Sequence, residues 1–150
     1  MMKNIKELTE DDVDDVNVWQ LLSIVNRYFS SFVDKKLAEY DITRSQAHFL
    51  LSLSQKDHIS QEELCKQFNM TEGTVARTMK ILENKELITR ETNPEDKRKK
   101  VLILTSKGSQ KVEEIIKYDE KMQNKINEVL QEEEIHNFKI TLLKLIDLSS

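Results

Sequence analysis

Four consecutive cations, Lys97, Arg98, Lys99 and Lys100, follow the chain's only proline, Pro94, and run straight into the apolar stretch Val101-Leu102-Ile103-Leu104. Side chains alternate across an extended strand, so these cations spread over both faces of one edge. Such an edge grips phosphate oxygens, and its arginine suits a narrow groove where negative potential is concentrated. Asp96 would itself be repelled by phosphate; two residues before Arg98, it is placed to orient the guanidinium by a charge-assisted hydrogen bond.

A second set of residues lies upstream. On a helical pattern that opens with Thr71 and Glu72, the residues Gly73, Arg77 and Lys80 fall opposite Val75, Met79 and Leu82, with Thr74 and Ala76 at the margins. A helix enters the major groove of DNA when the face near its N-terminus is small and polar. Gly73 and Ala76 permit close approach, Thr71 and Thr74 can donate to phosphates or base edges, and Arg77 can fork onto guanine or phosphate. Glu72 either accepts from a cytosine amino group or simply favours the helix start. A solvated helix face or a charged turn would explain each set alone. Both must then hold in succession, which favours DNA.

The elements that position these sets can be read from caps and periodicity. Val18, Leu21, Leu22, Val25, Tyr28, Phe29, Phe32 and Val33 recur at helical steps from about 17 to 39, behind an acidic lead (Glu10, Asp11, Asp12, Asp14, Asp15) expected to favour that helix's N-terminus. Thr43–Gln46 and Ser60–Glu63 read as capping boxes opening two further helices. Asn69-Met70 makes a turn, and the helix from Thr71 runs to about Lys85. Two short helices so joined form a helix-turn-helix. Leu87–Glu91 and Lys99–Leu104 flank a polar turn as a β-hairpin. Thr105 caps a helix over about 106–130, and a last helix over about 132–148 is expected to bury Ile135, Phe138, Leu142, Leu145 and Ile146.

Composition narrows the function. The net charge is −4, but residues 44–108 hold twelve Lys/Arg against nine Asp/Glu, while both flanks are acidic. A local basic face, not the global sum, sets phosphate attraction. No apolar run is long enough to span a membrane, and the N-terminus lacks a signal-peptide core. The single Cys65 excludes an intrachain disulfide and suits a reducing, cytoplasmic setting. His48, His58 and His136 share no metal-ligand spacing with Cys65, and no nucleophile–base pattern or glycine-rich phosphate loop occurs, so neither a cofactor, a metal nor an enzyme is expected.

The stretch Asp96-x-Arg98-x5-Leu104-Thr105-x2-Gly108, and the segment Ser60-Gln61-Glu62-Glu63-Leu64 through Thr74-Val75-Ala76-Arg77, Leu82-Glu83 and Leu87-Ile88, resemble the MarR family of winged helix-turn-helix regulators. Two positions depart from that pattern: Glu86 stands where the family usually has glycine, and Ile81 where it often has a polar residue. The resemblance implies a mainly α fold with a small β-hairpin wing, in which a winged helix-turn-helix at about 42–106 is flanked by dimerisation helices at about 10–40 and 107–150. It implies a homodimer on a pseudo-palindromic double-stranded DNA operator, with recognition helices ~34 Å apart, acting as a repressor relieved by a small aromatic or phenolic effector. Arg27, Tyr28, Phe32 and His48 are the candidates to line the effector site. The alternative is a winged-helix adaptor that docks proteins without binding DNA.

Overall fold

The computed structural model of the chain describes residues 8–147, apart from 57, 95, 98 and 99. The described elements are α1 (Val18–Glu39), α2 (Arg44–Gln55), α3 (Gln61–Phe68), α4 (Glu72–Asn84), β1 (Ile88–Thr92), β2 (Lys100–Leu104), α5 (Ser106–Val129) and α6 (Glu132–Ile146).

Most of the helices begin where a short polar side chain takes a backbone N–H that has no helical partner. Thr43 and Ser60 form reciprocal capping boxes with Gln46 and Glu63. Thr71 and Thr105 accept from the backbone N–H groups of Thr74 and Gly108. Helix α1 starts differently from the expectation. Its cap is Asn17, which accepts from the Trp19 backbone at 2.8 Å. The acidic residues Glu10–Asp15 form a separate 3-10 helix, closed where Thr9 donates through its backbone and hydroxyl to Asp12. Val16 and Asn17 are extended between the two helices, so these carboxylates do not sit on the first turn of α1.

The core lies in the middle of the chain. Phe49, Leu50, Leu64, Val75, Met79, Leu82 and Val101 are fully buried, and Leu37, Val112 and Ile115 close the assembly from α1 and α5. Phe68 meets Phe49 edge-on, with ring centroids 4.8 Å apart. Helix α3 ends at Asn69, whose left-handed φ of 49° turns the chain into α4. Strands β1 and β2 pair antiparallel, with Ile88 opposite Leu104 and Thr92 opposite Lys100. Ile59 adds a short third edge that the periodicity did not announce: its carbonyl accepts from the Leu102 N–H at 2.9 Å.

The terminal helices behave otherwise than their periodicity suggested. Helix α6 contains no buried residue, and Leu37 is the only buried residue of α1. Phe138 and Ile146, expected inside, are exposed, as are Val18, Trp19, Phe29 and Phe32. The apolar stripes are present, but the described residues leave much of them uncovered. No helix among the described residues is long and apolar enough to cross a membrane.

Candidate nucleic-acid interface

Helix α4 turns Val75, Met79 and Leu82 into the core, and this burial decides what its other face presents. Thr71, Glu72, Gly73, Arg77 and Lys80 are exposed, with Thr74 half-buried beside them. The Thr71 and Thr74 hydroxyls lie 3.0 Å apart, so the helix start is already organised. A Cβ placed on Gly73 would meet nothing within 4 Å. The fold therefore has no use for glycine there, and the space left open is outside the protein. Ile81 is exposed on the same helix, a position that offers no charge to a phosphate.

The far end of α4 is held by the start of α5. Glu86 takes a left-handed φ of 61°, and the Leu87 N–H donates to the Leu82 carbonyl at 3.0 Å, ending the helix without glycine. The Thr105 hydroxyl donates to the Glu86 carbonyl at 2.6 Å, and Lys107 Nζ donates to the Lys85 carbonyl at 2.9 Å. The Thr105 N–H reaches the Leu87 carbonyl at 3.1 Å. On the other side of α4, Lys85 bonds both the carbonyl and the carboxylate of Asp41. These bonds satisfy carbonyls that a helix end leaves without partners, and they tie the exposed α4 face to α5.

Of the wing residues singled out, Arg98 and Lys99 lie outside the described residues. Asp96 is half-buried and Lys97 exposed. Lys100 donates to the Thr92 hydroxyl at 2.9 Å across the hairpin. Lys100 also lines, with Arg90, Ser60 and Gln61, a cleft of about 270 Å³ between the wing and the N-terminus of α3. Arg90, held at 2.8 Å by Glu83, was not among the residues picked out from the sequence. Its only signal is one arginine in a five-residue strand, and the cleft exists only after β1, β2 and α3 come together. Beside it, Lys56 at 2.5 Å and then the Ser60 backbone N–H at 2.8 Å hold the Glu63 carboxyl at about 2, down from an ordinary 4.5.

The four effector candidates do not form one group. Tyr28 and Phe32 come together with ring centroids 6.4 Å apart, in an apolar groove of about 420 Å³ shared with Phe29, Met122, Ile126 and Val129. His48 instead stacks on Phe68 at 6.3 Å, and Arg27 is exposed outside the groove lining. Burial on α5 pushes the Asp119 carboxyl above its ordinary value.

Residues 42–100 match the MarR family model. Over 90% of the chain, the fold superposes on a crystal structure of MarR with a TM-score of 0.72 and 30% identity, covering 92% of that protein. The chain belongs to the MarR family. Its fold is the winged helix-turn-helix of that family, with α3 and α4 as the helix pair and β1–β2 as the wing. Another MarR-like structure, a Staphylococcus aureus MepR–DNA complex, superposes on 90% of the chain and 99% of its own length, with a TM-score of 0.77 and 29% identity. The relative named uncharacterized HTH-type transcriptional regulator YdgJ, from Bacillus subtilis, is 36% identical over 72 residues. That match spans 48% of this chain and 44% of YdgJ, less than half of each. Members of the MarR family are regulators, not enzymes.

Proposed function

We propose that this MarR-family chain is a homodimeric, sequence-specific regulator of transcription that binds double-stranded DNA, acting as a repressor. The observation that carries the reading is the open N-terminal face of α4. Thr71, Gly73, Thr74, Arg77 and Lys80 are presented outward on a helix whose opposite side is locked in the core, and at Gly73 close approach is unobstructed. Major-groove readout needs that combination of a rigid helix, small residues and one forked cation. The cleft with Arg90 and Lys100 would meet phosphates, and the sequence run of Lys97, Arg98 and Lys99 adds positive charge for an adjoining groove.

The bare apolar stripes support the dimer reading. Trp19 is 75% exposed, Val129 77% and Leu143 62%, and they lie on α1, α5 and α6, the helices at the two ends of the chain. A second copy of the chain would cover these faces and hold two α4 helices at one operator. A small effector would act by changing the spacing of the two DNA-binding lobes.

The test is a fluorescence-anisotropy titration of labelled DNA from upstream of the gene, repeated at several salt concentrations. Affinity is expected to fall steeply with salt as phosphate contacts release counterions. Arg77→Ala and Arg98→Ala should each weaken operator binding at least about tenfold, a loss within the range of one good bidentate contact. A folded protein with no salt-dependent DNA binding would instead be a docking adaptor.

A further inference from the structure

A third cavity, of about 400 Å³, lies between α2, β2 and the first turns of α5. Its volume is that of a small-molecule site. Leu53, Leu102 and Val112 give it an apolar wall, and His58, Ser109 and Glu113 a polar one. Among the described residues, Glu113 is the only Asp, Glu, Lys or Arg in the lining. Glu113 makes no hydrogen bond or ion pair among the described residues, and Lys111, on the same turn, is engaged with Glu114 at 2.6 Å. An exposed carboxylate at the rim of an apolar hollow, with no Lys or Arg in the described lining, can recognise a cation that carries an apolar body.

We propose that this cavity binds a small organic cation, with the ammonium or amidinium on Glu113 and the apolar body against Leu53, Leu102 and Val112. The occupant is wedged between a wing strand and the helix that follows it. Ser109 in its lining directly succeeds Gly108, where α5 rests against the end of α4. This site is distinct from the aromatic groove of Tyr28 and Phe32, with which it shares no residue. Binding is a property of the protein alone, so it stands or falls independently of DNA recognition.

The experiment is a calorimetric titration of the full chain without DNA, using benzamidinium chloride and, as the charge-reversed probe, sodium benzoate. Methyl chemical shifts are followed in parallel. Saturable benzamidinium binding is expected, at least about tenfold tighter than benzoate, with the shifts centred on Leu53, Leu102 and Val112. Glu113→Gln should weaken benzamidinium at least about tenfold with an unchanged circular-dichroism spectrum, since Glu113 is exposed and supports no other contact. Equal binding of benzoate, full affinity in Glu113→Gln, absence of benzamidinium binding, or shifts confined to Ile126 and Val129 would each overturn the assignment.

Discussion

A Cβ on Gly108 would lie 2.0 Å from the carbonyl oxygen of Leu87, inside any possible contact distance. The same oxygen accepts the Thr105 N–H at 3.1 Å. The first turn of α5 therefore rests directly on the backbone that links α4 to β1, and only glycine leaves room for it. Gly108→Ala must push α5 away from the end of α4 or break the Thr105 bonds. We expect a loss of about 3 kcal/mol, at the upper end for overpacking, measured by urea denaturation with unchanged slope. A loss below half that size would show that α5 can shift freely at this point.

Gly73 has the opposite environment, and the two glycines should separate fold from function. With nothing within 4 Å of its missing Cβ, Gly73→Ala should stabilise the protein by about 0.5–1 kcal/mol, the usual helix preference. Operator binding should weaken at the same time if the open space is where DNA approaches. A variant more stable and equally tight on DNA would remove α4's N-terminus from the interface.

Glu86 carries a backbone conformation that L side chains disfavour by roughly 1–2 kcal/mol. Its carboxylate, 82% exposed, gains a contact with Lys107 at 3.4 Å, a pair worth little in solvent. Glu86→Gly is therefore expected to raise the thermal midpoint by a few degrees, a gain of about 1 kcal/mol. Lys107 keeps its bond to the Lys85 carbonyl in that variant. An unchanged or lower midpoint would mean that the Lys107 contact outweighs the relief.

Acid should reach α3 through Glu63. Its folded-state carboxyl is depressed to about 2 from 4.5, first by the Lys56 hydrogen bond and then by the Ser60 backbone, so its contribution is complete above the unfolded value. That contribution is lost as the pH falls from about 4.5 towards 2. Glu63→Gln should flatten the stability profile in this window, and added salt should reduce the Lys56 part because the pair is exposed. Parallel profiles for the parent and the variant would assign the acid sensitivity elsewhere.

Leu143 tests the dimer. It is 62% exposed and contributes nothing to the chain's own core, so Leu143→Glu costs little within one subunit. Light scattering should show the parent as a dimer and the variant shifted towards monomer, with weaker operator binding. A variant that stays dimeric would place the contact on another part of the terminal helices.

The sequence by itself determined the elements whose signals close locally. Thr43 with Gln46, Ser60 with Glu63, Thr71 and Thr105 each bond backbone three residues away, so the helix starts were readable from neighbours alone. The exposed face of α4 was legible for the same reason, since helical periodicity places Arg77 and Lys80 opposite Val75 and Met79 without reference to the rest of the fold. Tertiary structure decided everything that depends on residues distant in the chain. It paired Ile59 with Leu102, set Arg90 and Lys100 beside the start of α3, and put His48 against Phe68 rather than with Tyr28 and Phe32. It also showed that the apolar stripes of α1 and α6 stay largely uncovered by the described residues, because periodicity reports that a face is apolar and not what lies over it.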